Sequence, residues 1–240
     1  MKLSVVVPCY NEEENIPLVL ERFAGIIKRD DVEVILVDNG SLDNTRQVLD
    51  EHLPKYFFAR KATVKINQGY SYGVLSGLKE AVGEFIGWTH ADMQTDPYDL
   101  LRALEIMEKR SDSQKACVKG LRKSRGFLDT FFTIGMGCFE TLYFMTKLWD
   151  VNAQPNVFHR SFYHVLKEAP SSDFALDLYA LYKAKEHKLD IVRMPVVFTE
   201  RAHGVSSWNF GLLSKWKYVV RVLNYSRNLK KRFKKQRGIT

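Results

Sequence analysis

"EFIGWTHADMQTDPYDLLRALEIMEKR", Glu84 to Arg110, is the stretch on which the fold turns. It opens with an apolar run of strand length, Glu84 to His90, and that run gives way to a carboxylate, Asp92. Pro97 then stands near a first helical turn, where a missing N–H costs nothing. The residues after it read as a helix. Strand, polar loop and helix follow one another within 27 residues. Three earlier units repeat the order. "KLSVVVP" is followed by a helix with Ile16, Val19, Leu20, Phe23, Ile26 and Ile27 at helical spacing. "VEVILVD" ends at Asp38 and leads into "SLDNTRQVLDEHL", which starts with capping residues. "ATVKI" is the third strand and "YSYGVLSGLKEAV" the third helix. Such alternation predicts an α/β fold with a mostly parallel central sheet and helices on both faces. Ligands of these sheets bind at the carboxyl ends of the strands, which is where Asp38 and Asp92 fall.

After "KACVKG" the alternation stops. Residues 127–149 predict an aromatic-rich helix, "SSDFALDLYALYKAKEH" a further helix, and "LDIVRMPVVF" a strand. This half is expected to complete the same domain and to build its acceptor side. We set residues 1–210 apart as the body and 211–240 as a tail of one or two basic amphipathic helices with a loose end.

The charge supports that division. The chain of 240 residues carries a net charge of +8, yet residues 201–240 hold 11 Lys/Arg and no Asp/Glu, leaving 25 basic and 28 acidic residues before them. All the excess positive charge lies in the tail, which points to an anionic surface, membrane or nucleic acid, or to a solvated end. No nucleic-acid-binding motif occurs in the body, so no nucleic-acid partner is expected. Cys9, Cys117 and Cys138 are too few and too scattered for a disulfide framework or a zinc site, and fit reduced thiols. The first apolar run is too short for a signal peptide. No segment reaches the roughly 18 apolar residues of a spanning helix; the best candidate, Phe127 to Trp149, is broken by Asp129, Glu140 and Lys147.

Two common phosphate sites are absent from the sequence. A dinucleotide fingerprint requires glycines directly after the first strand, and this chain has "PCYNEEEN" there. No G-x-x-x-x-G-K-S/T loop occurs either. The alternative is a divalent cation held by a carboxylate and gripping a pyrophosphate. Asp92 can supply that carboxylate and Gln94 a carbonyl oxygen, since hard cations take oxygen ligands. Taken alone, a strand-end Asp more often serves a turn.

The segments "SVVVPCYNEEENI", "VILVDNGSLDNT", "NQGYSYGVLSGLKEAVGEFI" and "HADMQTDP" resemble, in order and spacing, those of the family 2 glycosyltransferases. The chain is most similar to their dolichyl- or polyprenyl-phosphate mannose synthase branch, over about residues 1–210. The resemblance implies the GT-A fold. It also implies sugar transfer from a nucleotide diphosphate sugar with inversion at the anomeric carbon. By the same likeness, Pro8, Tyr10, Asn11 and Glu12 frame the nucleoside and Asp38 contacts the base. Asn67, Gly69 and Ala91 complete the donor-binding set. Asp92 and Gln94 match the metal-touching residues, and Gln154 matches an acceptor contact.

Each of these residues also has a structural reading. Asn11 suits a helix cap, Asp38 a turn, and Gly77 tight helix–sheet packing. Gly69, near a helix N-terminus, suits phosphate. His90 departs from the family's usual Asp-Ala-Asp triplet; it is either a ligand, favouring Mn²⁺ over Mg²⁺, or a half-buried histidine bonded to a loop. Ser207 stands where the family commonly has Lys. Arg122, Arg125 and Arg201 are candidates to neutralise the leaving diphosphate. A hydroxyl acceptor would need a base, for which Asp173 and Asp177 are the candidates, Asp173 also suiting a first helical turn.

The expected function is therefore a metal-dependent (Mn²⁺ or Mg²⁺) inverting hexosyltransferase using a GDP-mannose or UDP-glucose type donor. A polyprenyl phosphate would be the acceptor, met peripherally at the cytoplasmic membrane face. The basic tail, Trp208, Trp216, Tyr218 and the aromatic-rich helix would rest on the bilayer. A glycan hydroxyl acceptor and a non-catalytic nucleotide-binding relative stay open, as does homo-oligomerisation. The enzymatic reading sets two conditions. Asp92 must face a cavity, and it must not be engaged by a neighbouring guanidinium.

Overall fold

The computed structural model describes residues 1–123, 127–170, 176–199, 201, 203 and 211–236, apart from the side chains of 127–133, 211–218 and 234–236. Its seven strands are β1 (Leu3–Cys9), β2 (Val32–Asn39), β3 (Ala59–Val64), β4 (Phe85–Trp88), β5 (Ala116–Lys123), β6 (Asn156–His159) and β7 (Asp190–Val197). They form one sheet in the order β3-β2-β1-β4-β6-β5-β7. The helices are α1 (Asn15–Ile26), α2 (Thr45–His52), α3 (Tyr70–Glu80), α4 (Tyr98–Glu108), α5 (Phe127–Phe144), α6 (Tyr163–Leu166), α7 (Leu176–Glu186) and α8 (Gly211–Gln236).

The four strand–helix units of the first half are all present. β2, β1 and β4 pair in parallel, with Val5 beside Val34 on one side and Gly87 on the other. Every residue of β2 is buried, as a strand covered on both faces requires. Alternation along β1 sends Val5 and Val7 to a core packed by α1, α2 and α4. Val6 goes to a second core, shared with residues of α3, α5, α7 and α8. Fully burying each such aliphatic side chain contributes roughly 1.5–3 kcal/mol, so both faces help to hold the strand order.

Three local departures from the sequence expectations matter. β3 begins three residues earlier than "ATVKI" implies and stops at Val64. α5 stops at Phe144 rather than Trp149, because Met145 takes a left-handed φ of +52°, the backbone of a helix C-terminus. β6 had no place in the sequence reading. It lies between β4 and β5, antiparallel to both, and Trp88 stacks on its Phe158 with ring centroids 5.6 Å apart.

The tail is not a loose appendage over its helical part. Val222, Tyr225, Leu229 and Phe233 of α8 are buried, and Phe233 stacks on Tyr182 of α7 at 4.4 Å. Among the described residues no helix is long and apolar enough to cross a membrane.

Candidate functional site

A cavity of about 540 Å³ opens at the carboxyl ends of β1, β2 and β4. Pro8 closes β1 and lines it. Tyr10 and Glu12 follow on the loop to α1, and Asn67 comes from the approach to α3. His90, Ala91 and Asp92 arrive on the loop after β4, Arg201 after β7 and Arg221 from α8. Eight residues singled out in the sequence, Pro8, Tyr10, Glu12, Asn67, His90, Ala91, Asp92 and Arg201, thus meet in one place.

Asp92 is the pivot. It is 4% exposed, and its Oδ1 accepts a hydrogen bond from the Gln94 backbone N–H at 3.2 Å. Met93 between them has a left-handed φ of +58°; a side chain at such a φ costs about 1–2 kcal/mol, a strain that recurs at functional loops. The Asp92 Oδ2 lies 3.1 Å from the Arg201 guanidinium. Asp92 therefore meets the first of the two conditions and fails the second. The second condition is too strict. The Arg201 side chain is 29% and that of Asp92 6% exposed, so the pair is largely buried and either charge left alone there would be costly. Arg201 was itself a candidate for the leaving diphosphate. An entering diphosphate and cation would exchange partners with the pair rather than break it unaided.

The segment bearing Arg201 is tied to the Asp92 loop, since Thr199 N–H donates to the Gln94 carbonyl at 2.9 Å. Arg201 Nε is buried without a hydrogen-bond partner among the described residues. Glu12 accepts from Asn15 Nδ2 at 2.6 Å. Burial raises its pKa, the Asn15 hydrogen bond opposes the rise, and the Asp92 charge adds to it. Glu12 and Asp92 thus bring two carboxylates to one cavity lining, with Arg201 paired to Asp92. Among the described residues no group of three His, Cys, Asp and Glu side chains forms a closed metal site. The residues fit the other arrangement, in which one or two carboxylates hold a hard cation that substrate phosphates complete.

Gln94 is not on the cavity lining. Its side-chain amide donates to the Thr199 carbonyl, at 3.4 Å, outside the cavity lining. His90 does line the cavity, and its ring stacks on Tyr70 with centroids 5.4 Å apart. Among the described residues its ring is held by this stacking and not by a hydrogen bond to a loop.

Asp38 requires a correction as well. It is fully buried; Oδ1 accepts from Ser41 N–H at 3.0 Å and Oδ2 from Arg46 Nε at 2.9 Å. It fixes the turn after β2 and lies off the cavity. Its neighbour Asn39, on the opposite face of the strand, lines the cavity instead. Asn39 Nδ2 donates to the Gly69 carbonyl at 3.0 Å, and its buried Oδ1 has no hydrogen-bond partner among the described residues. Strand alternation was the signal that could have found it: two adjacent polar residues at a strand end cannot share a face.

Asn11 does not cap α1. It has a left-handed φ of +56° and its Oδ1 accepts from Leu42 N–H at 2.9 Å, tying the first loop to the second. Gly69, at φ +97°, gives its N–H to Asn67 Oδ1 at 2.8 Å and so does not offer it to a phosphate. Gly77 is a packing glycine, since a Cβ there would fall 2.5 Å from Val6 Cγ1.

Arg122 is engaged elsewhere. Its Nε bonds Asp150 Oδ1 at 2.7 Å and its backbone N–H bonds Asp150 Oδ2 at 2.8 Å, away from the cavity. Asp177 and Gln154 form a buried network next to the cavity wall. Asp177 Oδ1 accepts from Trp88 Nε1 at 3.2 Å, Gln154 Nε2 at 3.1 Å and Asn156 Nδ2 at 2.7 Å. Gln154 also donates to the Tyr70 hydroxyl at 3.3 Å. Lys119, 2% exposed, donates to Asn156 Oδ1 at 2.6 Å, and burial lowers its pKa to about 8. These residues brace Tyr70, and through it His90. Asp173, Arg125, Ser207 and Trp208, and the side chains of Trp216 and Tyr218, lie outside the described residues.

The profile described as "Glycosyl transferase family 2" matches residues 4–150. Among curated proteins the chain is similar to undecaprenyl-phosphate 4-deoxy-4-formamido-L-arabinose transferases. That of Photorhabdus laumondii is 32% identical over 120 residues, covering 46% of this chain and 35% of the relative. That of Proteus mirabilis is 33% identical over 120 residues with the same coverage. The match thus spans about a third of these relatives' length. Among solved structures, glucosyl-3-phosphoglycerate synthase from Mycobacterium tuberculosis, in complex with Mn²⁺, UDP and glucosyl-3-phosphoglycerate, superposes with a TM-score of 0.67 at 17% identity, covering 89% of this chain and 76% of that one. A mannosyltransferase from Pyrobaculum calidifontis, in complex with GDP-Man and Mn²⁺, gives a TM-score of 0.69 at 18% identity, covering 95% of this chain and 64% of that one. The fold is the GT-A fold of these glycosyltransferases. With its strand-end carboxylate facing a cavity and more than half of its length matched by one profile, the chain belongs to glycosyl transferase family 2.

Proposed function

We propose that the protein is an inverting hexosyltransferase that moves a sugar from a nucleotide diphosphate to a polyprenyl phosphate, working peripherally at the cytoplasmic face of a membrane. One observation carries the reading: carboxylate, guanidinium and imidazole groups converge on a single cavity at the strand ends. Tyr10 and Asn39 flank the nucleoside, with the unpartnered Asn39 Oδ1 available to an N–H of the base. Asp92, with Glu12 on the same cavity lining, would hold a divalent cation against the diphosphate, and His90 lines that cavity too. When bound, that cation supplies charge neutralisation for the leaving group. Arg201 shifts from Asp92 to the phosphates and stabilises the charge that develops there.

In the transfer itself, an acceptor phosphate oxygen forms a bond to the anomeric carbon on the face opposite the leaving group. The carbon–oxygen bond to the nucleoside diphosphate breaks, and its electron pair leaves with the diphosphate. The acceptor is already anionic, so no proton moves. The buried setting of Asp177 supports this acceptor over a glycan hydroxyl. Three N–H donors converge on one of its oxygens, and that suits a brace better than a proton-abstracting base, which must reach substrate.

The test is transfer of radiolabelled sugar into organic-extractable lipid, with UDP- and GDP-linked donors and with Mn²⁺ or Mg²⁺. Transfer should be greater with Mn²⁺, because an imidazole favours it, and Asp92→Ala should lower it by about a hundredfold or more. Full transfer by Asp92→Ala would leave a non-catalytic role for the Asp92 site. Equal rates with the two metals would remove His90 from the cation.

A further inference from the structure

Arg221 reaches the cavity from α8, an element the sequence reading set apart as a tail. Its position on the helix is fixed. Val222 beside it is buried, and Tyr225, Ser226 and Leu229 continue the buried stripe. α8 packs on the sheet face that also carries α3 and α7. Glu12, Asp92 and Arg201 come from loops at the strand ends.

Transfer to a phosphate brings two anions into one cavity. The donor diphosphate meets Arg201 and the cation-holding carboxylates. The acceptor monoester needs a positive partner of its own, or its repulsion from the diphosphate opposes the encounter. We propose that Arg221 binds the acceptor phosphate and holds its attacking oxygen toward the donor sugar. The assignment rests on the reading of the protein as a transferase to a lipid phosphate. The guanidinium stays charged throughout and neither gives nor takes a proton. It offers paired N–H donors that match a phosphate. Exposed Lys231 and Arg232 continue the positive charge along the same helix, drawing an anionic headgroup along α8 toward the cavity.

The experiment uses the full chain in detergent, with farnesyl phosphate as acceptor and the nucleotide sugar that supports transfer. Arg221→Ala should raise the acceptor KM by about tenfold or more, the loss of one charge-assisted hydrogen bond. The donor KM should stay within about twofold. Arg221→Lys should recover part of the loss, and Arg227→Ala, on the exposed side of α8, should match the unaltered chain. Each variant should keep one cooperative thermal transition above the assay temperature, so that the KM values are read on folded chain. An unchanged acceptor KM in Arg221→Ala overturns the assignment. So does a donor KM that rises instead, which would place Arg221 on the diphosphate, and so does an equal effect of Arg227→Ala, which would reduce it to a diffuse field. An unaltered chain that transfers nothing to farnesyl phosphate overturns the underlying reading and this assignment with it.

Discussion

Glu140 and Lys119 are buried ionisable groups placed where ionisation works against folding. Glu140, on α5, is 6% exposed, and burial raises its carboxyl pKa to about 8, with the Lys119 charge only partly opposing the rise. The folded chain therefore keeps a proton that the unfolded chain releases above about pH 4.5. Stability falls as pH rises from there to about 8 and is flat beyond. Lys119 works in the opposite sense. Its folded pKa of about 8 lies below the usual lysine value of 10.5, so its contribution to stability rises with pH across that interval. Glu140→Gln should raise the melting temperature at about pH 8.5 and leave it unchanged near pH 4, below both of the Glu140 values. An equal shift at both pH values would show that shape, not charge, is responsible. At this scale the sequence was a partial guide. Asp92, Glu12 and Arg201 were legible because a likeness of motif carries residue types directly. Asp38 and Asn39 were not told apart, because the likeness identifies the loop while strand alternation decides which neighbour faces the ligand. Arg122 was misplaced because its partner, Asp150, is 28 residues away, and nothing local links the two.

The first four strands and helices were readable because each apolar run is long enough to bury both faces and each loop carries its own turn chemistry. β6 was not. It has four residues, too few for a period, and its antiparallel place between β4 and β5 is fixed by tertiary packing. One glycine shows how tight that insertion is. A Cβ added at Gly120 of β5 would fall 1.9 Å from the backbone carbonyl oxygen of Gln154, just before β6. Neither strand can move without breaking its pairing, so Gly120→Ala should cost about 3 kcal/mol or more in urea unfolding. Gly25, near the end of α1, has nothing within 4 Å of its added Cβ. There the same change should stabilise the chain by about 0.5–1 kcal/mol through helix propensity. If the two substitutions had similar effects, the close approach of β5 and the Gln154 segment would not be what specifies glycine.

For the whole molecule, the charge division of the sequence and the packing of the structure disagree about where the body ends. The excess charge begins near residue 201. The core does not end there, because α8 buries Val222, Tyr225, Leu229 and Phe233. Phe233 is wedged between Tyr182 and Phe144, with centroids 4.4 and 6.4 Å away, and Lys183 sits 4.7 Å over its ring. Lys230 reaches the Tyr143 carbonyl of α5 at 2.6 Å, so α8 also fastens that helix. Composition could not show this, because a basic helix with an apolar stripe has the same pattern whether the stripe meets a bilayer or a protein core. Four buried side chains at roughly 1.5–3 kcal/mol each approach the full 5–15 kcal/mol by which a domain is stable. Ending the chain at residue 210 should therefore abolish the cooperative thermal transition and expose the Tyr179 and Tyr182 face of α7 to dye binding. Such a chain should accumulate as aggregate. Phe233→Ala, the milder version, should cost about 3–5 kcal/mol while the fold survives. A soluble chain of residues 1–210 melting as sharply as the whole would return α8 to the role of a surface tail. It would also remove the rigid support on which Arg221 depends, since an arginine on an unanchored helix holds no fixed place in the cavity wall.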